Sequence, residues 1–341
     1  MEQEKLEQKV RELFERQGFD LEETRRGFTA EKDNHKLDLK IFSSEEYSLA
    51  DLEKYVSEDD SVFVDETLSA AKDTLDEEVS VLTEEEEDPE FETPSYEVIG
   101  DIAVISELAG IDREEAVDGI LHHQNVKTIL LKKGGLEGEF RVGNYEKLYG
   151  EETETVHKEF GREFRVDPTK VYFSERFSTE RKRVVGQIED GEKVLVMFAG
   201  IGPFAILSAK LANPEKVVAV EKNPEAAEYL EENILINDVE DTVEAVEGDV
   251  RDVLAEMEEK FDRVVMPLPE SADEFLELAA EHTEYNGVIH YYRFLEEDNW
   301  QDLEQEVDQH IKNYKILNRV ECGERGPSVK RVCLDIKVLN E

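Results

Sequence analysis

The residues best placed to do chemistry occupy one turn and two positions downstream of it. The turn Ala199-Gly200-Ile201-Gly202-Pro203-Phe204-Ala205 follows an apolar run ending at Phe198 and opens a helix-like stretch. Glycines there let the backbone turn sharply and approach a ligand with no Cβ in the way. Alone, the motif is ambiguous. It satisfies the G-x-G-x-x-A form of the dinucleotide fingerprint, so a nicotinamide cofactor must be considered. It also fits a tight strand-to-helix turn with no ligand. Two acids narrow the reading. Glu221 ends the next apolar run about 20 residues on, where a carboxylate can accept hydrogen bonds from both ribose hydroxyls. Asp249, in Glu247-Gly248-Asp249, ends the run after that, where it can accept from an adenine amino group. In so acidic a chain either carboxylate alone reads equally well as surface charge. Two at strand ends on one sheet edge point to adenosine.

Such residues need a sheet to hold them. From about residue 169 the chain alternates apolar runs with helix-like stretches: KVLVMF, a helix from Pro203, KVVAVE, a helix from Pro224, TVEAVEGD, DRVVMPLP and GVIHYY. This alternation predicts an α/β fold, a mostly parallel Rossmann-like sheet with helices on both faces over residues 169–341. The second helix has Asn223 as N-cap and Pro224 at its first position. Ala226, Leu230 and Ile234 then repeat on its buried face.

Upstream, residues 96–168 read as a small α/β middle domain. Short strands EVIGDIAVI and VKTILLKK flank the helical REEAVDGILHH, and GEFRVGNYEKLYG follows. Residues 1–82 read as a small N-terminal α/β unit of unknown role. Its helix places Leu6, Val10, Leu13 and Phe14 on one face, and Lys36 to Phe42 alternates as a strand. Residues 83–95, with TEEEEDPEFETP, combine like charge and two prolines, which is the composition of a solvated linker.

Composition sets the outer bounds. The 341 residues suit two or three domains. The 86 acidic against 40 basic residues give a formal charge of −46, yet 39% of the chain is hydrophobic, so the acid coats a folded protein rather than marking disorder. A pI near 4.4 argues at first against nucleic acid, whose phosphates need local Lys and Arg. An acidic coat is equally what a protein needs in concentrated salt, where a Debye length of about 3 Å at 1 M suppresses self-repulsion. A salt-adapted, halophilic cytosol is the favoured setting, and the global charge then says little about substrate. Cys322 and Cys333 are too few for a disulfide framework and lack metal-ligand spacing, so apolar packing in two C-terminal strands is expected and no metal is assigned. No run approaches the roughly 18 apolar residues of a membrane span, so a soluble cytoplasmic protein is expected.

Several blocks carry a family resemblance. VYFSERFSTERKRVVGQI, VMFAGIGPFAI, VEKNPEAAEYLEENILIN, GDVRDV, FDRVVMPLPESADEFL and GVIHYY together resemble the archaeal and eukaryotic tRNA (guanine-37, N1) methyltransferases. IGDIAVI and NVKTILLK extend the likeness to the middle domain, so that it covers about Tyr96 to Tyr292. The resemblance implies an S-adenosylmethionine cofactor, methylation of guanosine 37 at N1, and a middle domain that helps to hold the tRNA anticodon stem-loop, with a monomer usual. A nicotinamide enzyme is not expected to share these additional blocks and becomes a minor alternative.

Residue by residue, the likeness implies that Phe198, Ala199, Gly200 and Gly202 wrap the methionine end. Glu221 and Lys222 would lie at the ribose, Asp249 and Val250 at the adenine, and Arg181 would close the site. Glu180 resembles the base that removes the N1 proton, and Arg141 the cation that stabilises charge on the guanine O6. From composition alone, Glu180 reads as a solvated helix carboxylate and Arg141 as a surface ion pair. Tyr172 is a candidate stacking platform, with Phe173 and Phe177, although each is as readily core. Pro267 would lie beside the cofactor and Pro269 beside the base. Arg176, with Arg181, Lys182 and Arg183, forms the locally positive run where phosphate contacts are expected.

Two positions depart from the commoner family pattern. Val196 stands where many members have Asp, and Pro267 stands where many have Asn, which removes a side-chain amide near the reacting base. A subfamily is the favoured explanation, and a catalytically inactive tRNA-binding module is an alternative from a different class. Methyl or aminocarboxypropyl transfer to a wyosine-type base is another, since sister families share fold and cofactor.

Overall fold

The computed structural model describes residues 20–24, 27–32, 35–40 and 91–341, except 139, 141, 297–298, 327 and 340–341. The chain divides into two units, 1–90 and 91–341. In the first, β1 (Asp20–Thr24), β2 (Gly27–Lys32) and β3 (His35–Lys40) form an antiparallel sheet in that order. The expected strand at Lys36 to Phe42 is thus placed one residue earlier and ends at Lys40. The expected helix at Leu6–Phe14 and the greater part of the expected linker lie outside the described residues.

The second unit begins with β4 (Tyr96–Ile99), β5 (Ile102–Ile105), α1 (Arg113–His123), β6 (Thr128–Glu137) and β7 (Val142–Tyr149). The four strands make one sheet in sequence order, with β5 and β6 parallel because α1 carries the chain back across. Asp112 caps α1 by accepting from the Glu114 amide at 2.9 Å. The hairpin of β8 (Thr155–Glu159) and β9 (Arg162–Val166) follows.

The remaining elements are α2 (Ser178–Val185), β10 (Lys193–Met197), α3 (Pro203–Leu211), β11 (Lys216–Glu221), α4 (Pro224–Ile236), β12 (Val243–Glu247), α5 (Val250–Ala255), β13 (Phe261–Met266), α6 (Leu276–Glu281), β14 (Thr283–Glu296), α7 (Trp300–His310), β15 (Tyr314–Gly326) and β16 (Val329–Val338). Seven strands form one sheet in the order β12-β11-β10-β13-β14-β16-β15. The first five are parallel, and the last two form an antiparallel hairpin against β14. This is the expected α/β sheet, lengthened at one edge by strands that the βα pattern does not announce.

Both faces of this sheet are buried, which is why its strands read as continuous apolar runs. Alternate residues serve opposite faces: Val194 and Val196 pack on one side, Leu195 and Met197 on the other, and all four are fully buried. Tyr292 and Cys333 belong to the first face, Tyr291 and Leu334 to the second. Cys333 packs as expected, and its thiol also touches Asp335 and Arg183. No helix among the described residues is long and apolar enough to cross a membrane.

Candidate functional site

The turn after β10 is shaped by its backbone. Phe198, Gly200 and Gly202 all have positive φ, at 58°, 57° and 90°, a region that side chains other than glycine occupy at a cost. A Cβ on Gly202 would stand 2.4 Å from Leu230 Cδ1 on α4, so glycine there sets the close approach of the turn to that helix. Asn233, one turn farther along α4 and fully buried, donates to the Ile201 carbonyl at 3.1 Å. It also bonds both the amide and the carbonyl of Arg165 on β9, at 2.7 and 3.1 Å. One buried amide therefore ties the turn to the preceding hairpin, where a lost partner would leave polar groups unmet.

Glu221 reaches back from the end of β11. Its Oε2 accepts from the Gly200 amide at 2.7 Å and its Oε1 from the Asn223 amide at 2.8 Å. Burial pushes its carboxyl above the ordinary value, and the amides of Asn223, Gly200 and Lys222 oppose that rise. At the end of β12, Asp249 caps α5, accepting from the Arg251 amide, and its other oxygen accepts from Lys222 Nζ, each at 2.9 Å. Those two contacts hold its carboxyl below the ordinary value.

These groups share a cavity of about 410 Å³ at the carboxyl ends of the parallel strands, the edge where open α/β sheets bind ligands. Of the residues expected at the site, Tyr172, Arg181, Phe198, Ala199, Gly200 and Glu221 line it, as do Lys222, Asp249, Val250, Pro267 and Pro269. Phe275, from the turn before α6, closes one wall, with its ring edge-on to Phe198 at 4.8 Å and the Arg251 guanidinium 4.0 Å above it. Gly202 shapes the turn without lining the cavity, and Arg176 sits outside it, paired with Glu97 at 2.7 Å. Arg141 lies outside the described residues, although Gly138 and Phe140 of the same loop line the cavity.

The positive run Arg181–Arg183 differs from expectation. Arg181 is 3% exposed and its guanidinium forks onto the Glu159 carboxylate, with a further bond to the Ser174 carbonyl at 3.2 Å. Arg183 donates to both Glu180 oxygens, at 2.6 and 2.7 Å, and to both Asp335 oxygens, at 2.7 and 3.1 Å. In a chain so rich in acid, these cations neutralise internal carboxylates and are not presented to a phosphate. Lys182 remains at the surface over the Phe160 ring.

Glu180 is accordingly no solvated helix carboxylate. It is 5% exposed, and the Tyr292 hydroxyl adds a third donor to Oε1 at 2.7 Å. A carboxylate has about four lone-pair directions. Both of those on Oε1 are taken, and Oε2 keeps one beyond Arg183. Glu180 does not itself line the cavity; Phe177, which does, packs 5.3 Å from the Tyr292 ring.

Behind this pair runs a buried polar chain invisible to motif reading. Asp335 accepts from Arg183, from Asn318 at 2.9 Å and from His290 Nδ1 at 2.7 Å. His290 Nε2 lies 2.9 Å from the Arg263 guanidinium, which can only donate, so Nε2 accepts and Nδ1 carries the proton. Arg263 is anchored in turn by Glu192 at 2.7 and 2.9 Å. Burial alone would raise the Asp335 carboxyl, but the bonds from His290 and Arg183 hold it well below the ordinary carboxylate range. His290, Cys333 and Asp335 have ligand atoms within 4.8 Å of one another, with the Arg183 guanidinium already bonded to that carboxylate. The sequence signal for this chain was the charged residue interrupting each apolar strand: Arg263 in β13, His290 in β14 and Asp335 in β16.

Residues 155–317 match the TRM5/TYW2 methyltransferase domain, and residues 75–153 match the TYW2 N-terminal domain. The tRNA (guanine(37)-N(1))-methyltransferase Trm5b of Pyrococcus abyssi is 45% identical over 208 residues, which are 60% of this chain and 61% of that protein. The match thus spans about three fifths of that relative's length. The tRNA(Phe) (4-demethylwyosine(37)-C(7)) aminocarboxypropyltransferase of Methanocaldococcus jannaschii is 38% identical over 59% of this chain and 79% of its own. Among solved structures, M. jannaschii Trm5 in complex with adenosine superimposes with a TM-score of 0.64 at 31% identity, covering 72% of this chain and 74% of that one. With the family domain matched on the sheet that carries the cavity, and relatives above 30% identity covered over more than two thirds of their length, the chain belongs to the TRM5/TYW2 methyltransferase family.

Proposed function

We propose that the chain binds S-adenosylmethionine and methylates N1 of guanosine 37 in tRNA, acting as a monomer on the anticodon stem-loop. The observation that carries this reading is one cavity holding both the adenosine-type acceptors Glu221 and Asp249 and, farther along the sheet edge, an aromatic and proline wall. Its residues fit such a donor. Glu221 offers oxygens to ribose hydroxyls, Asp249 offers one to an adenine amino group, and Gly200 leaves room for the methionine end. When bound, the donor supplies an electrophilic methyl.

The protein must do the rest. Tyr172, 38% exposed on the cavity, offers a face on which a purine drawn out of the loop can stack. Pro267 and Pro269 line the same cavity and carry no competing donor. Glu180 takes the N1 proton through the unused direction on Oε2 once it and Phe177 have shifted toward the cavity, and Arg183 and Tyr292 hold it in its resting position outside the cavity. Arg181 braces the Ser174 segment under Tyr172 through its Glu159 pair. Arg141 stays proposed as a cation for the guanine O6, on resemblance alone.

The test is transfer of labelled methyl to tRNA transcripts in high salt. Transcripts with guanosine at position 37 are labelled and those with adenosine are not; equal labelling overturns the reading. A second reading is favoured by the TYW2-type match at residues 75–153 and by the aminocarboxypropyltransferase relative. The same cavity then serves transfer of a methyl or aminocarboxypropyl group to a wyosine-type base, and mass analysis of the modified nucleoside separates the two. Absence of S-adenosylmethionine binding in calorimetry at every salt concentration would leave only a tRNA-binding module.

A further inference from the structure

Arg331 is held unlike the other arginines of the site. Of the arginines that line the cavity, Arg181 forks onto Glu159 and Arg251 bonds Glu274 at 2.8 Å, whereas Arg331, among the described residues, pairs with no carboxylate. Its guanidinium lies 4.7 Å from the Phe177 ring centroid and 5.6 Å from that of Phe294, and one terminal nitrogen reaches the Tyr172 hydroxyl at 3.4 Å. Its Nε is buried with no hydrogen-bond partner, and the side chain lines the cavity. A buried donor without a partner is unfavourable until an acceptor reaches it. Aromatic faces fix the cation here and leave its acceptors to come from elsewhere.

The strand register explains its position. Arg331 is directly opposite Phe294 on β14, and the next pair on the same face is Tyr292 with Cys333. Tyr292 bonds Glu180, and Phe177 touches both Tyr292 and the Arg331 guanidinium. Arg331 therefore stands at the cavity end of the row that leads to Glu180. On its other flank it faces Gly323 of β15, which has no side chain to cover it.

Strand order tells which ligand it meets. Asp249, Glu221 and Gly200 follow β12, β11 and β10, the adjacent strands proposed for the donor. Arg331 belongs to β16, three strands beyond β10, which at about 4.8 Å per strand is about 14 Å farther along the edge. That is the acceptor end.

We infer that Arg331 is a specificity-determining residue that donates to the keto oxygen beside the reacting nitrogen of the acceptor purine, an inference that rests on the guanosine reading above. The N1 proton passes to Glu180, the N1 electron pair forms the bond to the methyl as the methyl–sulfur bond of the donor breaks with its pair left on the neutral thioether sulfur, and the guanidinium keeps all its protons. Negative charge shared between N1 and the keto oxygen meets a fixed cation as it develops. A purine with an amino group at that position would set donor against donor.

The experiment uses the full chain and its Arg331→Gln and Arg331→Lys variants. Binding is titrated with transcripts carrying guanosine or 2-aminopurine at position 37, the latter lacking the keto oxygen. The native protein is expected to prefer guanosine by about tenfold. Arg331→Gln collapses that preference to within about twofold, Arg331→Lys keeps part of it, and both leave S-adenosylmethionine affinity unchanged. Turnover on guanosine falls about 100-fold in Arg331→Gln, more than the roughly tenfold loss in guanosine-transcript binding, because the cation acts most on the charge that develops in the reaction. Equal weakening of both transcripts, with the salt slope reduced by about one, would identify a phosphate contact and overturn the inference. So would an unchanged preference. Failure of the native protein to label any guanosine transcript defeats the methylation reading instead, and Arg331 is then still judged by the binding preference.

Discussion

The proposed donor end of the cavity and its acceptor end are built from different ranges of chain. Phe198, Gly200, Glu221 and Asp249 lie within one βαβαβ stretch, and the two acids are fixed by backbone amides of that stretch: Glu221 by Gly200, 21 residues before it, and by Asn223, two residues on, and Asp249 by Arg251, two residues on. Tyr172, Glu180, Pro267, Tyr292 and Arg331 come from five separate elements. Their geometry depends on side chains bonding across the sheet, above all Arg183 between Glu180 and Asp335. The first end is thus local and backbone-framed, the second long-range and held by charge. Of the two departures from the commoner family pattern, Val196 lies in β10 just before the donor-end turn and Pro267 falls in the acceptor end.

Mutation should break this contrast most visibly at Glu180. Glu180→Gln should lower single-turnover methyl transfer by about 10²–10⁴-fold and leave cofactor affinity by calorimetry within about twofold. A loss confined to cofactor affinity would move Glu180 to the donor end.

Asp335→Asn should remove about 3–5 kcal/mol of stability in urea unfolding, because it takes the charge from a fully buried carboxylate that Arg183 and the buried His290 both donate to. The sign with pH follows from the depressed carboxyl. Asp335 is ionised in the fold well below its ordinary value of 3.8, so its stabilisation is complete above that value and fades as acid protonates the folded form. The gap between native protein and variant should therefore hold from neutrality down to about pH 4 and narrow only below it.

At the donor end, Glu221→Gln should weaken S-adenosylmethionine by about 10- to 100-fold, the size of one or two charge-assisted hydrogen bonds. Burial raises the Glu221 carboxyl, so native affinity should begin to fall with acid at a pH above the ordinary 4.5, and this limb should vanish in the variant. In the ligand-free protein the sign for stability is opposite, because a raised carboxyl makes the fold more proton-binding than the unfolded chain. Acid through that raised value should favour native protein over its variant while it costs affinity. The smallest effect belongs to Pro267→Asn, which adds one amide donor to the acceptor end and should raise turnover by about two- to tenfold. No change would show that Arg331 already supplies what the amide would.

Legibility in the sequence tracked the same contrast. The glycine turn, Glu221 and Asp249 could be placed because each ends or follows an apolar run of known period, and the cap at Asn223 could be read from Asn-Pro. From composition alone Glu180 reads as a solvated helix carboxylate, and the Arg181–Arg183 run as a surface for phosphate; in the fold Glu180 is buried and both arginines turn inward onto carboxylates. Asn233 gave a different signal. It stands one position before the apolar Ile234 on the buried face of α4, and a polar residue there marks a backbone to be tied, without saying which.

By itself, then, the sequence determined the alternation of strands and helices, the sharp turn after β10 and the two acids at successive strand ends, because these follow from local backbone geometry and hydrophobic period. Tertiary structure alone decided which cations are neutralised within the fold and which one is left facing the cavity. Arg183 follows Glu180 by three residues on a helix, whereas Arg331 has no acidic residue within three positions of it along the chain. What each meets across the fold is decided only there: Arg183 reaches Asp335, 152 residues away, and Arg331, among the described residues, meets the Phe177 and Phe294 rings and the Tyr172 hydroxyl.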